Sequence, residues 1–205
     1  MQMFSMLKDG FPELNIPAID PFIIEKAKYQ IKSDDFQIRV VLKNMVVLGS
    51  SQTNIQDVNF EKSNNLIFMK THSEIPSMNV TGSYKAEMTV SETTSYYGGN
   101  FRVELYDIVS VHEFDAELID DGDRKIVKLL KFDVSPTIGK MNMKAAGFDP
   151  DPTINSMLVQ MANDYWQQFY KFLVPETKKY WEPIMLEISN RFLSVIAFDS
   201  VLDES

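Results

Sequence analysis

The chain has 205 residues, no cysteine and a formal net charge of −9, with an isoelectric point near 4.7. Such an acidic chain is repelled by phosphate backbones, and the missing thiols exclude disulfides, a cysteine nucleophile and Cys-ligated metal, so no nucleic-acid partner is expected. An apolar fraction of 44% against 24% charged residues is ordinary for a chain that can build one sizeable core, and no apolar run approaches the ~20 residues that span a bilayer, so no stable membrane insertion is expected.

The first element is "DGFPELNIPAIDPF", residues 9–22. Pro12, Pro17 and Pro21 each fix φ and remove a backbone donor, so neither a helix nor a central strand runs through it. Phe11, Leu14, Ile16, Ala18, Ile19 and Phe22 are costly to leave in water, which predicts a rigid strap docked along the edge or mouth of a core. Residues 1–35 read as this strap followed by a short helix.

From residue 36 to residue 146 the hydrophobic period is two. In "MNVTGSYKAEMTV", Met78, Val80, Gly82, Tyr84, Ala86, Met88 and Val90 alternate with polar residues, the pattern of a long strand with one wet face. "FQIRVVLKN" and "NFRVELYDIVSV" repeat it, and breaks fall at "GSSQTN", "EKSNN", "YYGGN" and "DDGDRK", the glycine pair reading as a hairpin. Consistent polarity of one face predicts an antiparallel meander, and Gly82 inside its strand marks a curve.

After "AAGFDPDPT" the period becomes helical over residues 147–205, the long helix and tail. Ile154, Leu158, Met161, Tyr165, Phe169 and Phe172 recur at three and four, and Tyr180, Ile184, Ile188, Phe192 and Val195 continue the stripe past Pro175. Pro175 and Pro183 are each expected to kink or interrupt the helix. The economical packing of these parts is a single α+β domain over residues 1–205, a long kinked C-terminal helix wrapped by a highly curved antiparallel β-sheet.

These segments resemble a known family. "GFPELNIPAIDPF" is similar to the signature near the start of the insect juvenile-hormone-binding and takeout-like proteins, and "VLKNMVVLGSSQTNIQDVNF" to their Leu-Lys-Asn strand and glycine turn. "VTGSYKAEMTV" resembles their Gly-x-Tyr strand, and "ANDYWQQFYKFLVPETKKYWEPIMLEISNRFLSVIAFDSVLDE" their closing helix, with its Asn-x-x-Trp element, central proline and final Phe-Asp. The chain departs from the pattern in lacking a secretion signal and a cysteine pair ahead of the strap, as expected of a trimmed chain or a divergent member. Ala197 also replaces a usual proline, and Pro183 is additional. The resemblance implies a secreted, extracellular, monomeric carrier of a small hydrophobic ligand in an elongated apolar cavity. Juvenile hormone or another isoprenoid, a fatty acid, a quinone and a carotenoid all fit that description.

The alternating strand face supplies the expected lining, Met78, Val80, Tyr84, Met88, Phe101, Val103 and Leu105, opposed on the helix by Met161, Tyr165, Phe169, Phe172, Tyr180 and Ile184. Among these the tyrosines stand out, because a buried hydroxyl needs a partner and a ligand oxygen can be one. Most of the 12 methionines read as core, and Trp166 and Trp181 as anchors of helix to sheet. Asn79-Val80-Thr81 is a glycosylation sequon on the wet face. His72 and His112 are the only histidines and no ligand cluster accompanies them, so no metal and no cofactor are expected. Absence of a Gly-x-Ser-x-Gly elbow argues against an enzyme. A second reading is a protein-interaction module in which the apolar helix face meets a partner protein.

Overall fold

The computed structural model describes residues 7–33, 35–120, 122 and 124–194, with the side chain of Phe172 outside that set. Val195, Ala197 and the closing Phe198-Asp199 lie outside the described residues. Six antiparallel strands form one curved sheet: β1 (Phe22–Lys32), β2 (Phe36–Leu48), β3 (Asn54–Ser63), β4 (Leu66–Val90), β5 (Thr93–Asp120) and β6 (Lys125–Ala145). Two helices follow, α1 (Pro152–Asp164) and α2 (Trp166–Leu193). The spatial order is β1-β2-β4-β5-β6, and β3 continues beyond β2 along the same side of β4. β1, β3 and β6 are edge strands, so the sheet curves without closing on itself.

The sheet begins at Phe22, earlier than the expected residue 36, and the short helix expected before it is strand β1. "EKAKYQ" is locally helix-compatible, but a continuous ladder from Phe22↔Val47 to Lys32↔Gln37 and an inward row of Ala27, Tyr29 and Ile31 override that preference. "YYGGN" is not a hairpin either. β5 runs straight through it, and the chain reverses at Ser91-Glu92, where Ser91 has φ 54°. Those glycines instead admit the chain leaving β6: a Cβ on Gly99 would overlap the Ala146 carbonyl oxygen, and the Ala146 N–H donates to Asn100 O at 3.0 Å.

β4 and β5 have 25 and 28 residues, and straight strands of that length would reach roughly 80–90 Å at ~3.3 Å per residue. They bend instead at a shared crease. The β4–β5 register stays in step from Leu66↔Glu117 to Val90↔Thr93, yet the buried face changes phase midway. On β4 the inner side is held by Ile67, Thr71 and Ser73 before Pro76, and by Met78, Val80 and Tyr84 after it. On β5 it passes from Phe101, Val103 and Leu105 to Ile108, Ser110 and Ala116 across Asp107, and on β6 from Val134 and Ile138 to Met141 and Met143 across Gly139. Pro76, Asp107 and Gly139 occupy one rung of three neighbouring strands. Asp107 has φ 53°, and a Cβ on Gly139 would lie 2.8 Å from that of Asp107, so glycine is required there. One irregular residue per strand at the same rung leaves pairing intact and exchanges the faces.

The proline-rich strap ties distant parts together. Phe11 and Ile16 bridge across a single 3-10 turn, Pro12–Leu14, and Ile16 is buried. Phe11 packs on Phe192, with ring centroids 6.4 Å apart, and Arg191 Nη1 donates to Asn15 O at 3.1 Å, which fixes the strap to the end of α2. At its other end the buried Asp20 carboxylate accepts from Gly49 N (3.1 Å), Ser51 N (3.1 Å) and Ser51 Oγ (2.5 Å), closing the corner between β2 and β3. Burial alone would raise the Asp20 pKa, but the Ser51 hydroxyl and the two backbone donors outweigh it and hold the carboxyl below its ordinary 3.8. The lowered folded value means that this contribution is complete above pH 3.8 and is lost as pH falls through the depressed value. Asp20→Ala is expected to cost about 2 kcal/mol in urea unfolding at pH 7 and to flatten the acid limb of the stability curve below about pH 4.

Helix α2 runs through Pro175 and Pro183 without interruption, and the break falls at Tyr165, between α1 and α2. Contacts before Pro175 and between the two prolines hold the helix against β6: the Tyr170 hydroxyl donates to Pro136 O (2.8 Å), Lys178 Nζ meets Asp133 Oδ1 (2.7 Å), and Val134 N donates to Glu182 Oε1 (3.4 Å). The Lys178 ammonium, more than any other neighbour, holds the Asp133 carboxyl below its ordinary value. Three asparagines complete the seam. The amide of Asn163 pairs with both N–H (2.7 Å) and C=O (2.9 Å) of Met143, that of Asn190 with both groups of Leu129 (2.7 and 3.0 Å), and that of Asn155 with Phe148 N and Ala145 O (3.0 and 3.1 Å). They satisfy backbone groups that an edge strand otherwise leaves open. Beneath this seam Ile67, Ala116 and Leu129 form a buried cluster with Phe114, Phe132, Leu186 and Leu193 around it.

Candidate functional site

Helix α1 starts where Asp151 caps it, its carboxylate accepting from Thr153 N (2.7 Å) and Ile154 N (3.3 Å), with Pro152 in the first turn. From there one apolar stripe runs along both helices on the side away from β6. Ile154, Met157, Leu158, Met161, Tyr165, Phe169, Leu173, Tyr180 and Ile184 are between 38% and 62% exposed. Single exposed apolar residues are unremarkable, but a continuous row of this length is not. The helices leave this stripe uncovered, and the sheet, unclosed, does not seal it.

The expected sheet residues share one face and meet across the ladder, Met78 opposite Leu105, Val80 opposite Val103 and Gly82 opposite Phe101. All are half-buried except Tyr84, which is 9% exposed. Met88 lies farther out, opposite Ser95 near the β4–β5 turn. Of the expected helix residues, Met161, Tyr165, Phe169, Tyr180 and Ile184 lie on the exposed stripe, and the side chain of Phe172 is outside the described residues. Trp166 is buried and meets Tyr170 of the same helix edge-on, with centroids 6.1 Å apart.

The tyrosines differ in what their hydroxyls do. Tyr84 donates to Ala146 O at 3.0 Å and packs on Phe148 with centroids 5.7 Å apart, so its hydroxyl secures the chain leaving β6. Burial pushes its pKa up. Tyr180 meets Tyr29 of β1 edge-on at 5.1 Å, joining the far edge of the sheet to α2, and burial, with Tyr180 second, raises the Tyr29 pKa. Tyr29 was not among the expected lining residues, because β1 reads as a helix in the sequence. Its place in the inward row with Ala27 and Ile31 is the period-two signal that marks it.

Two depressions lie on the outer face of the sheet. One, about 200 Å³, is bounded by Leu48, Gln52, Asn79, Arg102, Glu104 and Tyr106, and another, about 390 Å³, by Val41, Lys43, Lys85 and Tyr97 with the Gly98–Gly99 backbone. At the first, Asn79 is half-buried and its carboxamide oxygen has no hydrogen-bond partner.

A curved, unclosed antiparallel sheet carrying a long C-terminal helical region with an exposed apolar stripe defines a wrapped-helix class of protein. The family model described as haemolymph juvenile hormone binding protein (JHBP) matches residues 1–203 of the chain, and the protein belongs to that family. The crystal structure of Epiphyas postvittana Takeout 1 has the same fold, with a TM-score of 0.75, 16% identity, 96% of this chain covered and 89% of that one. A crystal structure of lipopolysaccharide binding protein aligns at a TM-score of 0.41 and 12% identity, over 95% of this chain and 38% of that one. Comparison with curated protein sequences gave no match.

Proposed function

We propose that this protein is a secreted, non-enzymatic carrier that holds a small hydrophobic ligand, isoprenoid-like or fatty, in the trough between α1–α2 and the inner face of the sheet. The observation that carries the proposal is the apolar stripe from Ile154 to Ile184, left exposed by a sheet that curves toward it. A guest that removes ~400 Å² of apolar surface from water gains roughly 10 kcal/mol before entropy costs, enough for micromolar or tighter binding after them. Membership of a family described as haemolymph juvenile hormone binding supports both the ligand class and the extracellular setting. None of the described helices is long and apolar enough to cross a membrane, and an apolar guest rather than a bilayer is the simpler cover for the stripe.

Because the trough is open, an apolar segment of a partner protein is the competing occupant. Native mass spectrometry of the purified protein, followed by extraction into organic solvent, separates the two. A carrier yields a monomer with a stoichiometric apolar molecule in the extract, or takes up N-phenyl-1-naphthylamine when purified empty. A protein that is empty, oligomeric and inert to that probe belongs to the second reading.

A further inference from the structure

Beyond the crease, the inner face of the sheet carries a polar island. Thr71 pairs across the ladder with His112, and Ser73 with Ser110, so that four hydrogen-bonding side chains form one compact square on β4 and β5. Ser73 is 2% exposed, and Thr71 and Ser110 are 6% exposed. Their neighbours along the same strand faces are Ile67, Ile108, Phe114 and Ala116, and His112 stacks on Phe114 with centroids 5.9 Å apart. Ser73 Oγ and His112 Nε2 are hydrogen-bonded at 2.8 Å. Among the described residues the Thr71 and Ser110 hydroxyls have no hydrogen-bond partner in the protein, yet unlike His72 Nδ1 and Asn79 Oδ1 their oxygens are not sealed from the surface, so a guest can reach them.

An inner face that is apolar on either side of this square has no packing reason to carry hydroxyls, which are costly to bury unpaired. We propose that Thr71, Ser73, Ser110 and His112 are the polar anchor of the trough, receiving the neutral oxygen-bearing end of an otherwise apolar ligand: an ester, ketone or alcohol. The Thr71 and Ser110 hydroxyls donate to that oxygen, and Ser73, held by His112, supplies a further donor or acceptor. No charged side chain bonds to the square among the described residues, and the Glu182 carboxylate, paired with Lys178, meets the N–H of Val134 opposite His112, so a carboxylate guest would meet a charge of its own sign. Burial, with His72 second, holds the His112 pKa below its ordinary value, which keeps the imidazole neutral at pH 7 and disfavours an anionic guest.

This anchor rests on the carrier reading, and the test separates the two. Displacement of N-phenyl-1-naphthylamine by dodecan-1-ol, methyl dodecanoate, dodecanoate and dodecane, each delivered from cyclodextrin, is measured on the wild type and on Thr71→Val and Ser110→Ala. Each substitution is expected to weaken the alcohol and the ester by about three- to tenfold and to leave dodecane within about twofold. Dodecanoate is expected to bind about tenfold or more weakly than its methyl ester to the wild type. Since the hydroxyls are unpaired in the empty protein, both variants should unfold at the same temperature as the wild type or above it. Equal effects on all four ligands, no effect on any, or dodecanoate matching the ester would overturn the anchor and leave the carrier standing. Failure of the wild type to bind the probe or any of the four would sink both.

Discussion

Phe169→Glu is expected to abolish ligand binding while leaving the fold intact. Phe169 lies in the middle of the exposed stripe, between Tyr165 and Leu173, and is 51% exposed in the empty protein, so the substitution creates no cavity and buries no charge until a guest arrives. On binding, the carboxylate must either lose water or hold the guest away from α2. Loss of the aromatic contact removes about 2 kcal/mol and partial desolvation of the charge adds more, so affinity for N-phenyl-1-naphthylamine should fall about 100-fold or further. Gln167→Glu, also exposed but next to the stripe and not on it, adds the same charge and is expected to change affinity less than about twofold. Fluorescence titration at pH 7, with circular dichroism as the check on folding, reads both. Unchanged affinity in Phe169→Glu would remove the stripe from the binding site.

The trough's helical wall was legible because its residues repeat at three and four regardless of what lies opposite. The sheet wall was legible only within one side of the crease. Alternation from Met78 to Val90 fixes the inner side of that stretch, and carrying the same phase backwards assigns Thr71 and Ser73 to the wet face. Carrying the Phe101–Leu105 phase forwards does the same to Ser110 and His112. The exchange of faces depends on Pro76, Asp107 and Gly139 falling on one rung, and nothing local to any one strand announces a rung shared by three. Extrapolated across the crease, either phase would put the polar anchor on the solvated side.

Two other differences have the same origin. The glycines of "YYGGN" are spent on the close passage of Ala146, more than 40 residues later in the chain, and the true turn at Ser91-Glu92 contains no glycine. Helix continuity through Pro175 and Pro183 reflects contacts made by Tyr170, Lys178 and Glu182 with β6, which offset a local penalty of about 3 kcal/mol per proline. In the strap, three prolines and an apolar row point to an extended docked segment, and the 3-10 turn at Pro12–Leu14 is the local departure from it. What the sequence did not indicate is that Asp20 is its main fastening.

Replacing the seam asparagines is expected to have the largest effect on stability. Asn163 and Asn190 sit 27 positions apart on the helical region, and each uses one amide to satisfy both backbone groups of a β6 residue. Leucine at either position removes two hydrogen bonds and strands a partly buried N–H and C=O, a loss of about 3 kcal/mol, and Asn163→Leu with Asn190→Leu should approach 6 kcal/mol because the sites share no partner. A loss of that size is comparable to the whole stability of many domains, so the double variant is expected to be unfolded or aggregated at 37 °C, its free β6 edge open to pairing with other chains. Asn163→Asp distinguishes the amide's chemistry from its shape. The carboxylate still accepts from Met143 N but faces Met143 O without a donor, so this variant should be destabilised by about 2 kcal/mol at pH 7 and recover part of that loss below about pH 4, where a protonated carboxyl donates again. Urea unfolding at the two pH values reads the reversal. No destabilisation at either pH would mean that the amide's hydrogen bonds add little to the seam, and that the helix is held to the sheet by packing at Leu186 and Leu193.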